Sequence, residues 1–436
     1  MSGQVAPSTG RCTMGGGNQL MKRGWTAIPV VTMFLLAACQ GSGDDASQAA
    51  EGSGAVGEGI AVDETAVTGT VRFSGFRSSD AEEELLTATL DAFNEKYPNI
   101  EVDYEPIPEG YIDQMTAQFS AGEPPDLFYL QAEFADAWIE DGLLEPLDPY
   151  FAGNPEFDTE PFFDPLIQAF EFEGQTYGLP KDASPLALFY NPDMLAAANV
   201  EPPTTWDELT AAAEALTTDD VYGLCLGAEL PRVGAFIYQN GGGIYNEDGS
   251  ELTIAAPESV EAIDFVLGMH EAGTLMVPAD TGAGWCGEAF GLGQAAMTME
   301  GNWLYPAMEN DFPDTPFEVA ELPQGTQQGN LAFTVAYSIG ADSVNKEAAW
   351  VLLQYLTGPE GMAEWTGQGL ALPSRDDVEP APGREALSAG LEYATAYAFA
   401  RDFPDIQAAF NAELTRVLAE GGTGQDVADA AAAAAQ

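Results

Sequence analysis

Histidine is almost missing from this chain: His270 is the only one in 436 residues. A Ser-His-Asp triad therefore has almost nothing to build on, and no Gly-x-Ser-x-Gly elbow accompanies it. Cysteine is nearly as scarce, with four copies, Cys12, Cys39, Cys225 and Cys286, and no Cys-x-x-Cys spacing. Beside a single histidine, that speaks against a zinc site. No Gly-x-x-x-x-Gly-Lys phosphate loop occurs. Basic residues are also few: 13 Lys and Arg face 70 Asp and Glu, a formal charge of −57. A face this negative repels nucleic acid and anionic lipid, which excludes both as partners. So many acids make some close carboxylate pair inevitable, yet nothing singles out a glycosidase pair. No catalytic residue, cofactor or metal is assigned, and no internal repeat is evident.

What is present begins with Lys22 and Arg23, followed by an apolar stretch over 25–38. That is the charged and apolar layout of a secretory signal, too short to cross a bilayer. Leu36-Ala37-Ala38-Cys39 resembles a bacterial lipobox, which implies a signal peptide over 1–38 and a lipidated Cys39 as the mature N-terminus. Met21 is an alternative start. Residues 39–66, rich in Gly, Ser, Ala and acids, read as a flexible tether from a lipid anchor on the outer face of the cell membrane. Removing 1–38 takes away Arg11, Lys22 and Arg23 and no acid, leaving −60 with Lys96, Lys181 and Lys346 as the only lysines. The acids are scattered through the whole chain, as on a halophile's hydrated surface; a cationic ligand is the competing explanation. Export permits a disulfide, and pairing Cys225 with Cys286 is the simplest use of two thiols outside the cell.

About 400 residues remain, enough for two sizeable lobes. A strand over 70–73 is followed by a helix capped by Ser79 or Asp80, with Leu85, Leu86, Leu90 and Phe93 on one face. "PNIEVDYEPI", "YIDQMTAQFSAG" and "PDLFYL" continue the alternation as strand, helix and strand, which predicts a parallel sheet with covering helices. The pattern restarts beyond Pro180. "PLALFYN" is strand-like, and "TTWDELTAAAEAL" carries a capping box from Thr205 to Glu208. "YGLCLG" reads as a buried strand, and "GGGIYNEDGSELTI" as a hairpin turning at Asp248-Gly249. The helix "PESVEAIDFVLGMHEAG" stops at Gly273. "GQAAMTME" and "NLAFTVAYSIG" are strand-like runs, and the helices "NKEAAWVLLQYL" and "PDIQAAFNAELTRVLAEG" follow.

Three segments carry a family resemblance: "YGLPKDASPLALFYNPDMLAAANVEPPTTWDEL", "FGLGQAAMTMEGNW" and "SIGADSVNKEAAWVLLQYLTGPEG". In order and spacing they resemble family 1 extracellular solute-binding proteins of ABC importers, the maltose-binding-protein-like group, from about Val67 to the C-terminus. The resemblance implies an α/β, two-lobe, type II periplasmic-binding-protein-like fold. Its parallel-sheet lobes are joined by several hinge crossovers, with the ligand cleft between them. Crossovers near 180–185, 330–334 and 384–391 divide the chain into 67–182 plus 331–386 and 183–330 plus 387–436. The implied protein is no enzyme. It is a monomer that captures a di- or oligosaccharide and delivers it to ABC permease subunits.

Sugar recognition needs aromatic faces for the pyranose C–H surface, with carboxylates and amides for its hydroxyls. Trp303 falls on the family's stacking tryptophan. Glu229 lies where the family has a ligand-binding glutamate, or is a solvated acid. Ser74, Gly75 and Phe76 follow the first strand, with Arg77 and Asp80 nearby. Gln131 and Glu133 hold the third-strand loop; the family's maltodextrin members have a tryptophan and an Asp-Arg pair around there, and this chain has neither, which counts against maltose itself. Lys181, Asp182 and Ser184 sit on the first crossover. Trp285 is an extra platform beside Cys286, and Phe410 is either a further stacking aromatic or helix packing. Tyr238, Gln239 and Asn240 lead into a glycine turn over 241–243 near the cleft floor. A polyamine-binding protein and a secreted carbohydrate-active enzyme are the alternatives.

The scattered acids generate the first testable expectation. If they form a self-repelling hydrated surface, raising NaCl from about 0.05 M to about 1 M raises the thermal midpoint of the mature protein, because screening relieves the repulsion. A flat or falling midpoint in a salt series rejects that reading.

Overall fold

The strand Gly69–Phe76 buries Val71 and Phe73 completely, and from it the first sheet is built. In this computed structural model the described residues are 59–77, 80–246, 249, 251–397 and 402–435. The signal stretch, Cys39, Ser79 and Asp248 lie outside them. The helix Asp80–Lys96 turns Leu85, Leu86, Leu90 and Phe93 inward, as their spacing predicts. The helix Tyr111–Ala121 ends where Gly122 takes a left-handed φ of 71°, which only glycine adopts without strain.

The first sheet runs in the order Ile100–Ile107, Gly69–Phe76, Leu127–Gln131, Val335–Ile339, Leu179–Pro180. Its first three strands are parallel, as expected, whereas Val335–Ile339 runs antiparallel to both of its neighbours. Phe73, Phe128, Tyr337 and Trp350 fill its core. The second sheet has the order Leu275–Met276, Tyr222–Cys225, Ala295–Glu300, Ala187–Tyr190, Glu318–Ala320. Its first three strands are again parallel, and Ala187–Tyr190 runs antiparallel to both of its neighbours. Each lobe is therefore mixed rather than purely parallel, because the chain enters and leaves it through returning strands.

Between the two lies a three-stranded sheet, Ala394–Ala396, Asn330–Phe333 and Ser184–Pro185. The run "NLAFTVAYSIG" is accordingly not one strand. It breaks at Thr334, with Asn330–Phe333 in the connecting sheet and Val335–Ile339 in the first lobe. The Thr334 hydroxyl donates to the Asp182 carbonyl at 2.8 Å, tying two passages together at the break.

Three local expectations need correction. The tether ends earlier than residue 66, since the Ile60 N–H donates to the Pro149 carbonyl (2.7 Å) and the Val62 N–H to Asn154 Oδ1 (3.0 Å). The Asn154 side chain completes the contact, its Nδ2 donating to the Ile60 carbonyl at 2.9 Å. The Thr205 side chain does cap the helix Trp206–Leu216, but Glu208 reaches back to the N–H and hydroxyl of Thr204 instead. A final helix, Gly424–Ala434, follows Phe403–Glu420 under a capping box of Thr423 and Asp426. Its low-complexity alanines hid it.

Cys225, ending its strand, and Cys286, opening the helix Cys286–Gly291, are joined with Cα atoms 5.5 Å apart and at a sequence separation of 61. A loop of that length limits the unfolded chain enough to stabilise by about 4 kcal/mol. The Cys225→Ser/Cys286→Ser pair is expected to lose about that much in a urea titration, reproduced by reducing the wild type. Coincident curves for oxidised and reduced protein would show that the bridge contributes nothing.

Candidate ligand-binding cleft

The three crossing strands place their ends around one cavity of about 280 Å³. Phe76, Glu82, Gln131 and Glu133 reach it from the first lobe, and Asn302 and Trp303 from the second. The crossovers supply Lys181, Asp182, Ser184, Phe333, Thr334 and Val335, while Leu370, Ala371 and Tyr397 complete the lining. These residues meet because strands ending at the connecting sheet deliver their carboxyl-end loops to it, the usual position of a ligand in α/β lobes.

Trp303 is held by charge and by packing. Its indole N–H donates to Glu300 Oε2 at 2.8 Å, and the same oxygen accepts from Arg232 Nη2 at 2.7 Å. The guanidinium carbon lies 5.1 Å from the Trp303 ring centroid, and Phe333 meets that ring edge-on at 5.6 Å. Glu300 is only 2 % exposed. Burial raises its carboxyl pKa, and the Arg232 charge with the two donated bonds opposes the rise. Gly301 admits the arrangement: a Cβ there would lie 2.4 Å from the Trp303 ring and 2.6 Å from Ser184 Oγ.

Lys181 is 4 % exposed. Its ammonium pairs with the Asp182 carboxylate and sits 4.2 Å from the Trp365 ring centroid and 5.1 Å from that of Tyr129. The Trp365 indole donates to the same carboxylate at 3.2 Å. Lys181 is thus salt-bridged and at the cavity at once. Glu133 lies in the single turn Ala132–Phe134, with its carboxyl pKa raised by burial. Its carboxylate faces no lysine or arginine among the described residues. Tyr397 packs on Phe333 at 5.1 Å and donates its hydroxyl to Gln407.

Trp303, Phe76, Gln131, Glu133, Asp182 and Ser184 are therefore brought together. Others named from the sequence are not. Ser74 is fully buried and donates to the Glu105 carbonyl at 2.9 Å, because it faces into the sheet rather than beyond its end. Phe410 is fully buried in the second-lobe core, which leaves packing as its role. Arg77 pairs with Glu83, behind Phe76. Trp285 packs beside Phe290 and Phe312, away from the cavity, its ring resting on Gly287. Glu229 lies 3.7 Å from Arg232 and supports that residue from outside the lining. Tyr238 and glycines 241–243 line a separate hollow of about 950 Å³, while Gln239 is buried against the Trp206 indole. Asn302, Phe333, Tyr397 and Glu82 were not anticipated. Asn302 stands inside the "EGNW" segment, so a signal existed for it; Tyr397 and Phe333 come from crossovers whose register only the fold reveals.

Two lobes with a cavity at their crossovers define the class of two-lobe solute-binding proteins. Residues 78–363 match the bacterial extracellular solute-binding protein family, and the chain belongs to it. It is similar to the maltotriose-binding protein of Pyrococcus abyssi, 28 % identical over 271 residues, covering 60 % of this chain and 56 % of that one. Among solved structures, an ABC substrate-binding protein of Listeria monocytogenes in complex with cycloalternan is 26 % identical with a TM-score of 0.75. That match covers 84 % of this chain and 98 % of the other. The sugar-binding protein MalE of Xanthomonas citri, 22 % identical with a TM-score of 0.74 over 84 % and 96 % of the two chains, shares the fold. These relatives are binding proteins rather than enzymes, and this chain is likewise a solute-binding protein.

Glu300 is the test of how the platform is held. Glu300→Ala leaves Arg232 with only the more distant Glu229 and frees the Trp303 indole. It is expected to cost about 3 kcal/mol in chemical denaturation, as removing one partner of a buried pair does. A loss under about 0.5 kcal/mol would place the pair among inconsequential surface contacts.

Proposed function

We propose that this protein is the saccharide-capturing lipoprotein of an ABC importer, tethered through Cys39 and holding its ligand between the two lobes. The observation that carries the reading is the cavity itself. It combines an aromatic platform of Trp303, Phe333 and Tyr397 with carboxylates and amides from both lobes. Aromatic rings pack on the C–H face of a pyranose, and the polar groups exchange hydrogen bonds with its hydroxyls. The relatives named for maltotriose and cycloalternan support the same ligand class. A cavity of about 280 Å³ lies at the small end of ligand sites, which favours one or two sugar rings enclosed at a time.

The segments 67–182 plus 331–386 and 183–330 plus 387–436 act as the two lobes. They close about the connecting sheet, and bound ligand favours the closed form that the permease subunits engage. No bond is made or broken. The protein works as a monomer on the outer face of the membrane. A second reading, a polyamine or other cationic solute, draws on one feature: the lining contains Glu82, Glu133 and Asp182 but a single cation, Lys181, which is already paired with Asp182.

A thermal-shift screen in high salt separates them, with glucose, maltose, maltotriose and mannotriose set beside spermidine. A saccharide at about 100 times its Kd is expected to stabilise by about 2.7 kcal/mol, and Trp303→Ala to remove most of that shift. Stabilisation by spermidine and by no saccharide would replace the first reading with the second.

A further inference from the structure

Asn302 carries an amide that the protein itself leaves unanswered. The residue is 1 % exposed and lines the cavity. Among the described residues, neither its Oδ1 nor its Nδ2 has a hydrogen-bond partner. Buried side-chain polar atoms are rarely left in that state, and a pair of them on one amide points to a partner that arrives from outside. The backbone beneath the amide is fixed. Its N–H donates to Ser184 Oγ at 2.9 Å, its carbonyl accepts from the Tyr305 N–H at 3.1 Å, and Gly301 leaves no room for a side chain at the preceding position. The unsatisfied group is thus held in place next to Trp303.

We infer that Asn302 is the specificity-determining residue of the cleft and that its amide reads two adjacent hydroxyls of a neutral sugar, one as donor and one as acceptor. The chemistry of the amide sets the choice. Oδ1 only accepts and Nδ2 only donates, so satisfying both requires a ligand presenting a donor and an acceptor side by side. Two vicinal hydroxyls do this, since each can donate or accept. An ammonium answers Oδ1 alone and leaves the Nδ2 hydrogens bare; a carboxylate answers Nδ2 alone. The nearby charges reinforce the selection, because Lys181 is committed to Asp182 and Arg232 to Glu300, leaving neither to attract an anion. A pyranose resting on Trp303 carries hydroxyls around its rim, at the height of the neighbouring residue.

The inference rests on the saccharide reading, and the test keeps the two apart. Asn302→Leu retains the size of the side chain and removes both polar atoms. Without ligand, its melting temperature is expected to equal or exceed that of wild type, since an amide without a protein partner contributes no stability. In calorimetric titration with whichever of glucose, maltose, maltotriose or mannotriose binds wild type most tightly, affinity is expected to fall roughly 10- to 100-fold. Asn302→Asp, which keeps an acceptor but loses both donors, is expected to weaken the same saccharide while leaving any spermidine binding undiminished. Equal saccharide affinity in wild type and both variants overturns this inference alone. A melting temperature lowered in ligand-free Asn302→Leu and Asn302→Asp also overturns it, by showing that the amide supports the fold. Wild type that binds spermidine and none of the four saccharides overturns the saccharide reading and this inference together.

Discussion

The connecting sheet is the constraint on which the rest depends. Three separate passages, Ser184–Pro185, Asn330–Phe333 and Ala394–Ala396, cross between the lobes, and backbone hydrogen bonds join them into one sheet. Several paired passages suppress twisting and leave bending as the soft motion, as in hinge closure elsewhere. They also determine what lies at the cleft. Lys181, Asp182, Ser184, Phe333, Thr334 and Val335 all belong to these passages or their immediate continuations, so the hinge and the cavity floor are the same residues.

Cations are scarce enough that each one's placement carries weight. All three lysines among the described residues are paired: Lys96 with Glu360, Lys346 with Glu145, and Lys181 with Asp182. Lys181 alone among them is nearly buried, enclosed by the faces of Trp365 and Tyr129. Arg232 is similarly enclosed, between Glu300 and the Trp303 ring. Buried charges need partners, and both receive a carboxylate while aromatic faces cover them. In a chain this acidic, two of the few cations hold the aromatic platform and the first crossover in place, while Glu133 and Asn302 line the same cavity.

Reading the sequence located elements better than it located surfaces. The helix face of Leu85, Leu86, Leu90 and Phe93, the stop at Gly122 and the "EGNW" strand end follow from local periodicity and backbone freedom, which neighbours in sequence determine. Trp303 was legible because a short motif carries it. Ser74 and Phe410 look equally suitable as isolated residues, and the structure buries both, since strand register and helix rotation decide which side faces the cleft. The break at Thr334 is not written in local pattern, since "NLAFTVAYSIG" is largely apolar and suits either one long strand or two short ones; only the family resemblance placed a crossover near 330–334.

By itself the sequence determined the class of protein, the pairing of two cysteines and the alternation of strands and helices, because each is written in composition or in short motifs along the chain. Only the tertiary structure decided which residues line the cavity. Glu82, Asn302, Phe333 and Tyr397, none of them anticipated, are spread between positions 82 and 397 and share no motif. They meet because three crossovers pair into one sheet, and long-range pairing of that kind depends on how two completed lobes pack rather than on any local preference.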